Sequence, residues 1–388
     1  MKKKRIAILG STGSIGITSL KIIKKKYKEF NVILLSANSN YKSINQQIKK
    51  FKPKFFVINN YNVFRKVKEK YQNNSTKFYN KFSDLPSKKL KFDITISAIV
   101  GIAGLEPTIK FINLSKKILL ANKESIICGW HIIKKQSLKY KTQIIPIDSE
   151  HFSIDQLTKD YSDSDIKKIY LTASGGPFLR KALKTFKNIK AKDAVKHPNW
   201  KMGKKISIDS ATMMNKVFEL IEAQKIFNID KNIFRILIHP KSYIHAIVKF
   251  KTGIIKFLAH DTNMKIPIFN SIYLDTENNI DSKKINLTIL NNLNLAKPDL
   301  EKFPSINFIK NVKNKNTFFE TILITANDEI VKLYLEDKVH FVDIYRLTKK
   351  IIKLNYFKKY LNKCPKNSNE IINLAKKVRF KTKQLCNK

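Results

Sequence analysis

Along the first 150 residues, short apolar runs alternate with stretches whose apolar positions recur every three or four residues. The runs "RIAILG", "FNVILLSAN", "FFVIN", "FDITISAI", "KKILLAN" and "QIIPIDSE" read as strands. Between them lie helical patterns such as 15–27, where Leu20, Ile23 and Tyr27 share one face. Strands alternating with helices predict an α/β fold with an N-terminal doubly wound (Rossmann-like) parallel sheet over residues 1–150.

Beyond residue 151 the pattern changes. "KKIYLTASGG", "RILIHP", "YIHAIVKF" and "GIIKFLAH" predict a second sheet. A helix is predicted to begin after Ser210 and to run through "ATMMNKVFELIEAQKIF". These elements make residues 151–285 a central α+β domain. Residues 286–306, rich in Asn with two prolines, read as a linker, and 307–388 is helix-patterned, predicting a C-terminal helical bundle.

Composition narrows the classes. No run reaches the roughly 18 apolar residues that span a bilayer, and the apolar stretch after the first lysines ends at Gly10, too soon for a signal peptide. Cys128, Cys364 and Cys386 are too scattered for a disulfide framework or a zinc site. The chain therefore reads as cytoplasmic, with no membrane partner. The formal charge of +46 invites a nucleic-acid reading, but only six of the 76 basic residues are arginine, the residue best suited to bidentate readout. Lysine is spread over the whole chain beside abundant Asn and Ile, as drift toward A+T-rich codons would leave it. No nucleic-acid partner is expected.

Glycine is more telling. The chain has ten, where average usage would give about 27. Survivors of such depletion should mark backbone that tolerates no side chain. They cluster at Gly10, Gly13 and Gly16, at Gly101 and Gly104, and at Gly175 and Gly176. "GSTGSIG" follows the first predicted strand and opens the first helix, where glycines admit a pyrophosphate to the helix N-terminus. The second strand ends in "SANSN", with no acid for a ribose 2′-hydroxyl. That favours a 2′-phosphorylated cofactor, with Lys42 as the available cation.

Carboxylates supply the next clue. In "IPIDSEH", Asp148 and Glu150 are two apart at the end of an apolar run. On a strand, residues i and i+2 project together, and such a pair repels unless a cation or shared proton joins it. In "HPNWKMGKKISIDSATMMNKVFELIEA", Asn215, Glu219 and Glu222 share a helical face with Lys216 adjacent, and Ser210 is a candidate N-cap. Convergence of Asp148, Glu150 and Glu219 would make an all-oxygen site suited to Mg²⁺ or Mn²⁺; the alternative is a set of surface ion pairs. Trp200 and Met202 lie in a Pro- and Gly-flanked stretch, fitting a lid or a loop anchored in the core. Lys123 and Glu124 in "LLANKES" fall at the carboxyl edge of the sheet, where open α/β folds bind ligands. No G-x-S-x-G occurs, and Ser149 between two acids is poorly set for Ser-His hydrolysis.

Taken together, "GSTGSIG", "SAIVGIAGL", "LLANKES", "PIDSEH", "LTASGGPF", the 197–223 block and "HPKSYIHAIV" resemble, in order, the 1-deoxy-D-xylulose 5-phosphate reductoisomerase family. The likeness weakens after about residue 300, where "FPS" and "TANDE" still echo it. It implies a homodimeric, NADPH-dependent enzyme of isoprenoid precursor synthesis that uses one Mg²⁺ or Mn²⁺ per subunit. It assigns Asp148, Glu150 and Glu219 to the metal, and Ser149 and Lys123 to the substrate backbone. Ser174, Ser210, Asn215 and Lys216 are assigned to its phosphate, and His197 and Trp200 to a closing loop. Gly10, Ser11, Thr12, Gly13, Ser14 and Ile15, then Ala37, Asn38 and Asn40, then Asn122, Lys123 and Glu124 are assigned to the cofactor, with Gly203 and Met264 near the nicotinamide. The implied chemistry breaks and re-forms a carbon–carbon bond in the sugar phosphate, then reduces the branched aldehyde to 2-C-methyl-D-erythritol 4-phosphate.

Two stretches depart from the family pattern. Ala37-Asn38-Ser39-Asn40 stands where the family has A-G-[basic]-N, which weakens the expected preference for NADPH over NADH. "HDTNMKIP" stands where it has G-x-P-D-M-R-x-P, keeping only Met264 and Pro267. The rival readings are an NAD(P)-dependent dehydrogenase acting on another phosphorylated substrate without rearrangement, and a nucleic-acid-binding protein.

Overall fold

The computed structural model describes residues 2–86, 90–200, 202–273 and 278–386. In chain order its strands are β1 (Lys4–Leu9), β2 (Phe30–Ala37), β3 (Phe55–Ile58), β4 (Lys77–Tyr79), β5 (Phe92–Ser97), β6 (Ser115–Leu120), β7 (Gln143–Pro146), β8 (Ile166–Ala173), β9 (Phe234–Ile238), β10 (Ile244–Phe250) and β11 (Ile255–Ala259). The helices are α1 (Ser14–Lys25), α2 (Tyr41–Phe51), α3 (Tyr61–Lys70), α4 (Leu105–Ile112), α5 (Lys123–Tyr140), α6 (Ser149–Thr158), α7 (Ala191–Ala194), α8 (Lys204–Ala211), α9 (Met214–Phe227), α10 (Lys265–Ile272), α11 (Leu287–Asn291), α12 (Phe319–Leu335), α13 (Asp343–Ile352), α14 (Asn355–Lys358) and α15 (Ser368–Cys386). They form two compact units. The first holds Met1–Ser125, His131–Asp148 and Met264–Ile280; the second holds Ile126–Trp130, Ser149–Asn263 and Asp281–Lys388.

The first unit is built on a seven-stranded sheet in the order β4-β3-β2-β1-β5-β6-β7, with every pairing parallel. Ile6, Ile8, Leu35, Ile94 and Ile96 are buried in its centre. Burying each such side chain contributes about 1.5–3 kcal/mol, which is why these strands lack polar alternation. Strand order reverses between β1 and β5, so their carboxyl ends open the crevice where this topology binds ligands. The doubly wound reading of the sequence holds. Two details differ from it. Strand β4 is short and half exposed, leaving little apolar signal. Helix α10, grouped by sequence with the second domain, puts Ile268, Phe269 and Ile272 into the core of the first unit.

In the second unit the sheet order is β11-β10-β8-β9, with β8 and β9 parallel and the other pairs antiparallel. Helices follow, α12 packing against α13 and α15. Residues 286–306, read as a linker, are fastened to this unit. Ile238 and Ala296 form a β-bridge, His239 Nδ1 donates to the Leu293 carbonyl at 2.6 Å, and Phe303 is buried beside Ala173, Met213, Ile236 and Ile238.

Two local predictions are corrected. Asp148 and Glu150 do not share a strand: β7 stops at Pro146 and Ser149 opens α6, so the pair straddles a strand-to-helix turn. Ser210 is not an N-cap: it lies inside α8, and the helix breaks after it at Thr212 and Met213. Met213 has φ +61°, a left-handed conformation that costs a non-glycine residue of order 1–3 kcal/mol. The buried cluster around its side chain holds it there.

Candidate active site

In the first unit, the turn after β1 is pressed from two sides. A Cβ on Gly10, whose φ is +84°, would lie 2.6 Å from the Ala98 carbonyl oxygen, and one on Gly16 would lie 2.5 Å from that of Gly10. Gly13 caps α1 without a side-chain hydrogen bond, so the first-turn N–H groups, including those of Ser14 and Ile15, face the crevice unclaimed by a cap. Thr12, half-buried, completes the turn. Ser11 is spent internally: its hydroxyl donates to Gln47 Oε1 at 2.6 Å and is fully buried. Ala37 ends β2, Asn38 is exposed, and Asn40 caps α2 by accepting from the Ser43 N–H at 3.1 Å.

Asn122 ties two loops of this unit. It caps α5 through the Ser125 N–H at 2.6 Å, and its Nδ2 donates to the Gly101 carbonyl at 3.0 Å and to Glu124 Oε2 at 3.2 Å. Lys123 Nζ pairs with Asp148 Oδ2, and both are largely buried. Met264 precedes α10 and packs against the unit's core.

In the second unit, Glu150 and Glu219 meet over one cation. Lys216 Nζ pairs with Glu150 Oε1 and Glu219 Oε2 and is itself buried. Burial works against its charge, but the two carboxylates outweigh it and raise its pKa. Ser149 Oγ donates to Glu150 Oε2 at 2.6 Å, and Asn215 Nδ2 donates to Glu219 Oε1 one helical turn away. His151, fully buried, donates from Nε2 to the Glu219 backbone carbonyl at 2.9 Å and so ties α6 to α9. Its Nδ1 lies 3.9 Å from Glu222 Oε2, which puts Glu222 on the histidine rather than with the other two acids.

Beside this pair lies a second cluster. His197 Nδ1 accepts the backbone N–H groups of Asn199 at 3.1 Å and Trp200 at 3.0 Å. The proton therefore sits on Nε2, which donates to Ser174 Oγ at 3.0 Å. Burial, then the charge of Lys216, pushes the His197 pKa down to about 4, so the ring is neutral. Ser174 Oγ also accepts the Gly176 N–H at 3.1 Å. With two donors aimed at its oxygen, the serine proton points outward. Gly176 has φ +68°, and a Cβ there would lie 2.9 Å from the Ala211 Cα and 3.0 Å from the Ser210 carbonyl oxygen. Its missing side chain brings the Ser174 loop against the end of α8 that carries Ser210. Gly203 caps α8 with open space around it.

Asp148 ends the His131–Asp148 segment of the first unit and is peptide-bonded to Ser149, so its place beside Glu150 is set by local chain geometry. One carboxylate oxygen each from Asp148, Glu150 and Glu219 lies within 4.8 Å of the others. Three hard oxygen donors at this spacing fit a small dication, and the Lys216 ammonium already shows that two of them accept a shared cation.

Sequence reasoning missed two supports. Gly176 was marked only by glycine scarcity. A buried network runs from α8 to α12: Asn327 Nδ2 donates to Asp209 Oδ1 at 2.8 Å, and Lys205 Nζ reaches Asp209 at 2.8 Å and Asp328 at 2.7 Å. The "TANDE" stretch was the only trace of it.

Comparison with known proteins places these features in a family. The family model for 1-deoxy-D-xylulose 5-phosphate reductoisomerase matches residues 6–129, that for its C-terminal domain matches 144–227, and a further DXP reductoisomerase C-terminal domain model matches 260–381. The chain is 51% identical over 381 residues to the 1-deoxy-D-xylulose 5-phosphate reductoisomerase of Pelagibacter ubique, covering 97% of this chain and 98% of the relative. It is 36% identical to that of Clostridium novyi, covering 97% of each. Among solved structures, the Zymomonas mobilis reductoisomerase in complex with NADPH superposes with a TM-score of 0.89 at 30% identity over 99% of both chains. A DOX-P reductoisomerase in complex with NADPH, fosmidomycin and magnesium gives 0.91 at 31% identity, over 99% of this chain and 98% of the other.

Proposed function

This chain belongs to the 1-deoxy-D-xylulose 5-phosphate reductoisomerase family, and from that premise we propose how its own residues perform the reaction. The enzyme converts 1-deoxy-D-xylulose 5-phosphate to 2-C-methyl-D-erythritol 4-phosphate, using NADPH and a divalent cation. The observation that carries the assignment of residues is the meeting of Asp148, Glu150 and Glu219.

These three carboxylates would hold Mg²⁺ or Mn²⁺. When bound, the cation supplies Lewis-acid polarisation of the substrate's carbonyl and hydroxyl oxygens. Lys123 pairs with Asp148 and reaches the same region from the start of α5. Ser149 and Asn215 orient Glu150 and Glu219 through the hydrogen bonds they donate.

The substrate phosphate is assigned to Ser174, Ser210, Asn215 and Lys216. The outward proton of Ser174 suits a phosphate dianion, and neutral His197 keeps it outward. Anchoring a phosphate remote from the reacting carbons lowers the entropic cost of aligning them. Trp200, two residues beyond Pro198, serves as the apolar cover that excludes water.

The glycine turn at Gly10–Gly16 takes the pyrophosphate of the dinucleotide, with the N–H groups of Ser14 and Ile15 as donors. Asn38 and Asn40 lie at the ribose end, and Gly203 and Met264 toward the nicotinamide. NADPH supplies the hydride. Roles for Asn122 and Glu124 rest on their place at the carboxyl edge of the sheet.

We assign residues 1–150 to cofactor binding, 151–285 to catalysis, 286–306 to a tethered connection and 307–388 to a helical support. A homodimer is part of the proposal. β11 is a sheet edge whose Ile255 and Phe257 project on one face at 58% and 50% exposure, a surface that a second copy would cover. Among the described residues no helix is long and apolar enough to cross a membrane. Among the described residues no disulfide joins Cys128, Cys364 and Cys386, which supports a reducing, cytoplasmic setting, and scarce arginine supports a small-molecule enzyme without a nucleic-acid partner.

The test is the loss of NADPH absorbance with 1-deoxy-D-xylulose 5-phosphate and Mn²⁺, with the product identified by mass and NMR. Folded, metal-supplied protein that gives no branched product would refute the reading. Glu219→Gln is expected to abolish turnover while NADPH affinity, read by fluorescence titration, stays within about twofold, because Glu219 belongs to the metal set and not to the cofactor turn.

A further inference from the structure

His260 lies in the "HDTNMKIP" stretch that departs from the family pattern. We propose that it is a positioning residue for Trp200, acting through His245. This inference rests on the lid role given to Trp200 above.

The rings form a continuous column within the second unit. Trp200 meets His245 edge-on, with ring centroids 6.0 Å apart at 68°. His245 stacks on His260 at 3.8 Å and 22°. On its far side His260 meets Phe152 edge-on at 6.5 Å. Phe152 sits on α6, two residues after Glu150. The column therefore runs from the loop indole to the helix that carries the acids.

Local backbone fixes both histidines. Ile244 pairs with Ala259 and Ala246 with Leu258, which leaves His245 as the extra residue of a β-bulge. Bulges turn a side chain away from the ordinary alternation of a strand, and here the ring is turned onto Trp200. His245 Nε2 lies 3.2 Å from the His260 backbone carbonyl, so the partner residue also anchors it. His260 Nδ1 donates to the Asp261 carbonyl at 2.7 Å, which locks its ring plane. Both histidines are more than nine-tenths buried, while Trp200 is half-buried. Two buried rings thus back the half-buried indole at the end of the column. Asn199, just before Trp200, donates to the Pro240 carbonyl at 2.6 Å and Ser242 Oγ at 3.1 Å, so the "HPKSYIH" stretch grips the loop at two adjacent residues.

The proposal turns on a flat ring at 260; the Nδ1 hydrogen bond sets its plane, and the stacking on His245 carries the effect. His260→Phe preserves stacking, His260→Leu keeps apolar volume without a ring, and His260→Ala removes both. In an aromatic pair the stacking itself accounts for about a 3- to 10-fold effect beyond burial. We expect Leu and Ala to raise KM for 1-deoxy-D-xylulose 5-phosphate by about that factor, with kcat changed less than about threefold and Phe near wild type. Placed in Trp130→Phe protein, where Trp200 is the sole tryptophan, Leu and Ala should increase acrylamide quenching of its fluorescence and Phe should not. Quenching is read on free enzyme, so it tests the positioning claim apart from turnover; turnover by the unmutated enzyme tests the function. Leu matching Phe in both readouts would overturn the proposal by showing that volume alone matters. So would Ala matching wild type, or Phe failing as Ala does. If Ala lowers the melting point too far for assay, the Leu and Phe pair decides.

Discussion

Lys216→Met should create a protein whose stability depends on metal. In the wild-type chain the buried Lys216 ammonium is shared by Glu150 and Glu219. Methionine keeps much of the side-chain volume and removes the charge. The two carboxylates, with oxygens within 4.8 Å, then face each other in a buried site. At an effective dielectric of about 20, that separation corresponds to roughly 3.5 kcal/mol of repulsion. The figure agrees with the ~3–5 kcal/mol typical of removing one partner from a buried ion pair. For a folding unit of 150–250 residues it corresponds to a fall in Tm of about 7–14 °C. A dication between the same oxygens should restore most of it, and Mn²⁺ should raise the melting point of the variant more than that of wild type. Calorimetry in EDTA and in Mn²⁺ measures both effects. Equal melting of variant and wild type in EDTA at pH 8, with equal gains from Mn²⁺, would refute the account of Lys216 as the cation joining these acids.

Two further predictions concern the serine loop. Gly176→Ala introduces a Cβ 2.9 Å from the Ala211 Cα at φ +68°; it should destabilise by about 1–3 kcal/mol and raise KM for the sugar phosphate as Ser174 shifts, checked by denaturant melts and steady-state kinetics. His197 has its pKa lowered from 6.5 to about 4, first by burial. The unfolded chain therefore takes up a proton that the folded chain refuses, and this contribution to stability is whole above about pH 6.5 and is lost as pH falls toward 4. His197→Asn, which keeps an acceptor for the Asn199 and Trp200 amides, should flatten the fall in stability between about pH 6.5 and 4.5 in urea titrations. An unchanged slope would place the proton uptake elsewhere.

The parallel sheet was readable because short strand-like runs alternate with helical patterns through the first 150 residues, and the turn after β1 because glycine survives there in a glycine-poor chain. What the sequence hid is physical in each case. The break between α8 and α9 carries no Gly or Pro: Met213 is held left-handed by Phe303 and its neighbours, which are remote in sequence, so the motif read as one helix starting after Ser210. Asp148 and Glu150 looked like neighbours on a strand because the strand stop at Pro146 and the helix start at Ser149 are separated by only two residues. The membership of α10 in the first unit depends on where its apolar face packs, which periodicity does not encode. The candidate acids were legible as residue types. Their shared cation, Lys216, was read as a lysine beside that helical face and assigned to the substrate phosphate, since a bridge between α6 and α9 exists only once the chain has folded.

The Asp209 network has a bearing on how this chain can be divided. By sequence, the stretch near residue 300 looks like the place to cut a catalytic piece from a helical appendage. Yet Asp209 is 1% exposed, and its carboxylate is satisfied in part by Asn327 from beyond that cut, while Lys205 is shared with Asp328. A fragment ending at residue 306 would lose those partners and would also bare the surface where α12 meets α8. The covalent seam and the cooperative seam therefore fall in different places. Shuffling or truncating the C-terminal helices alters the floor beneath Ser210 rather than trimming an ornament.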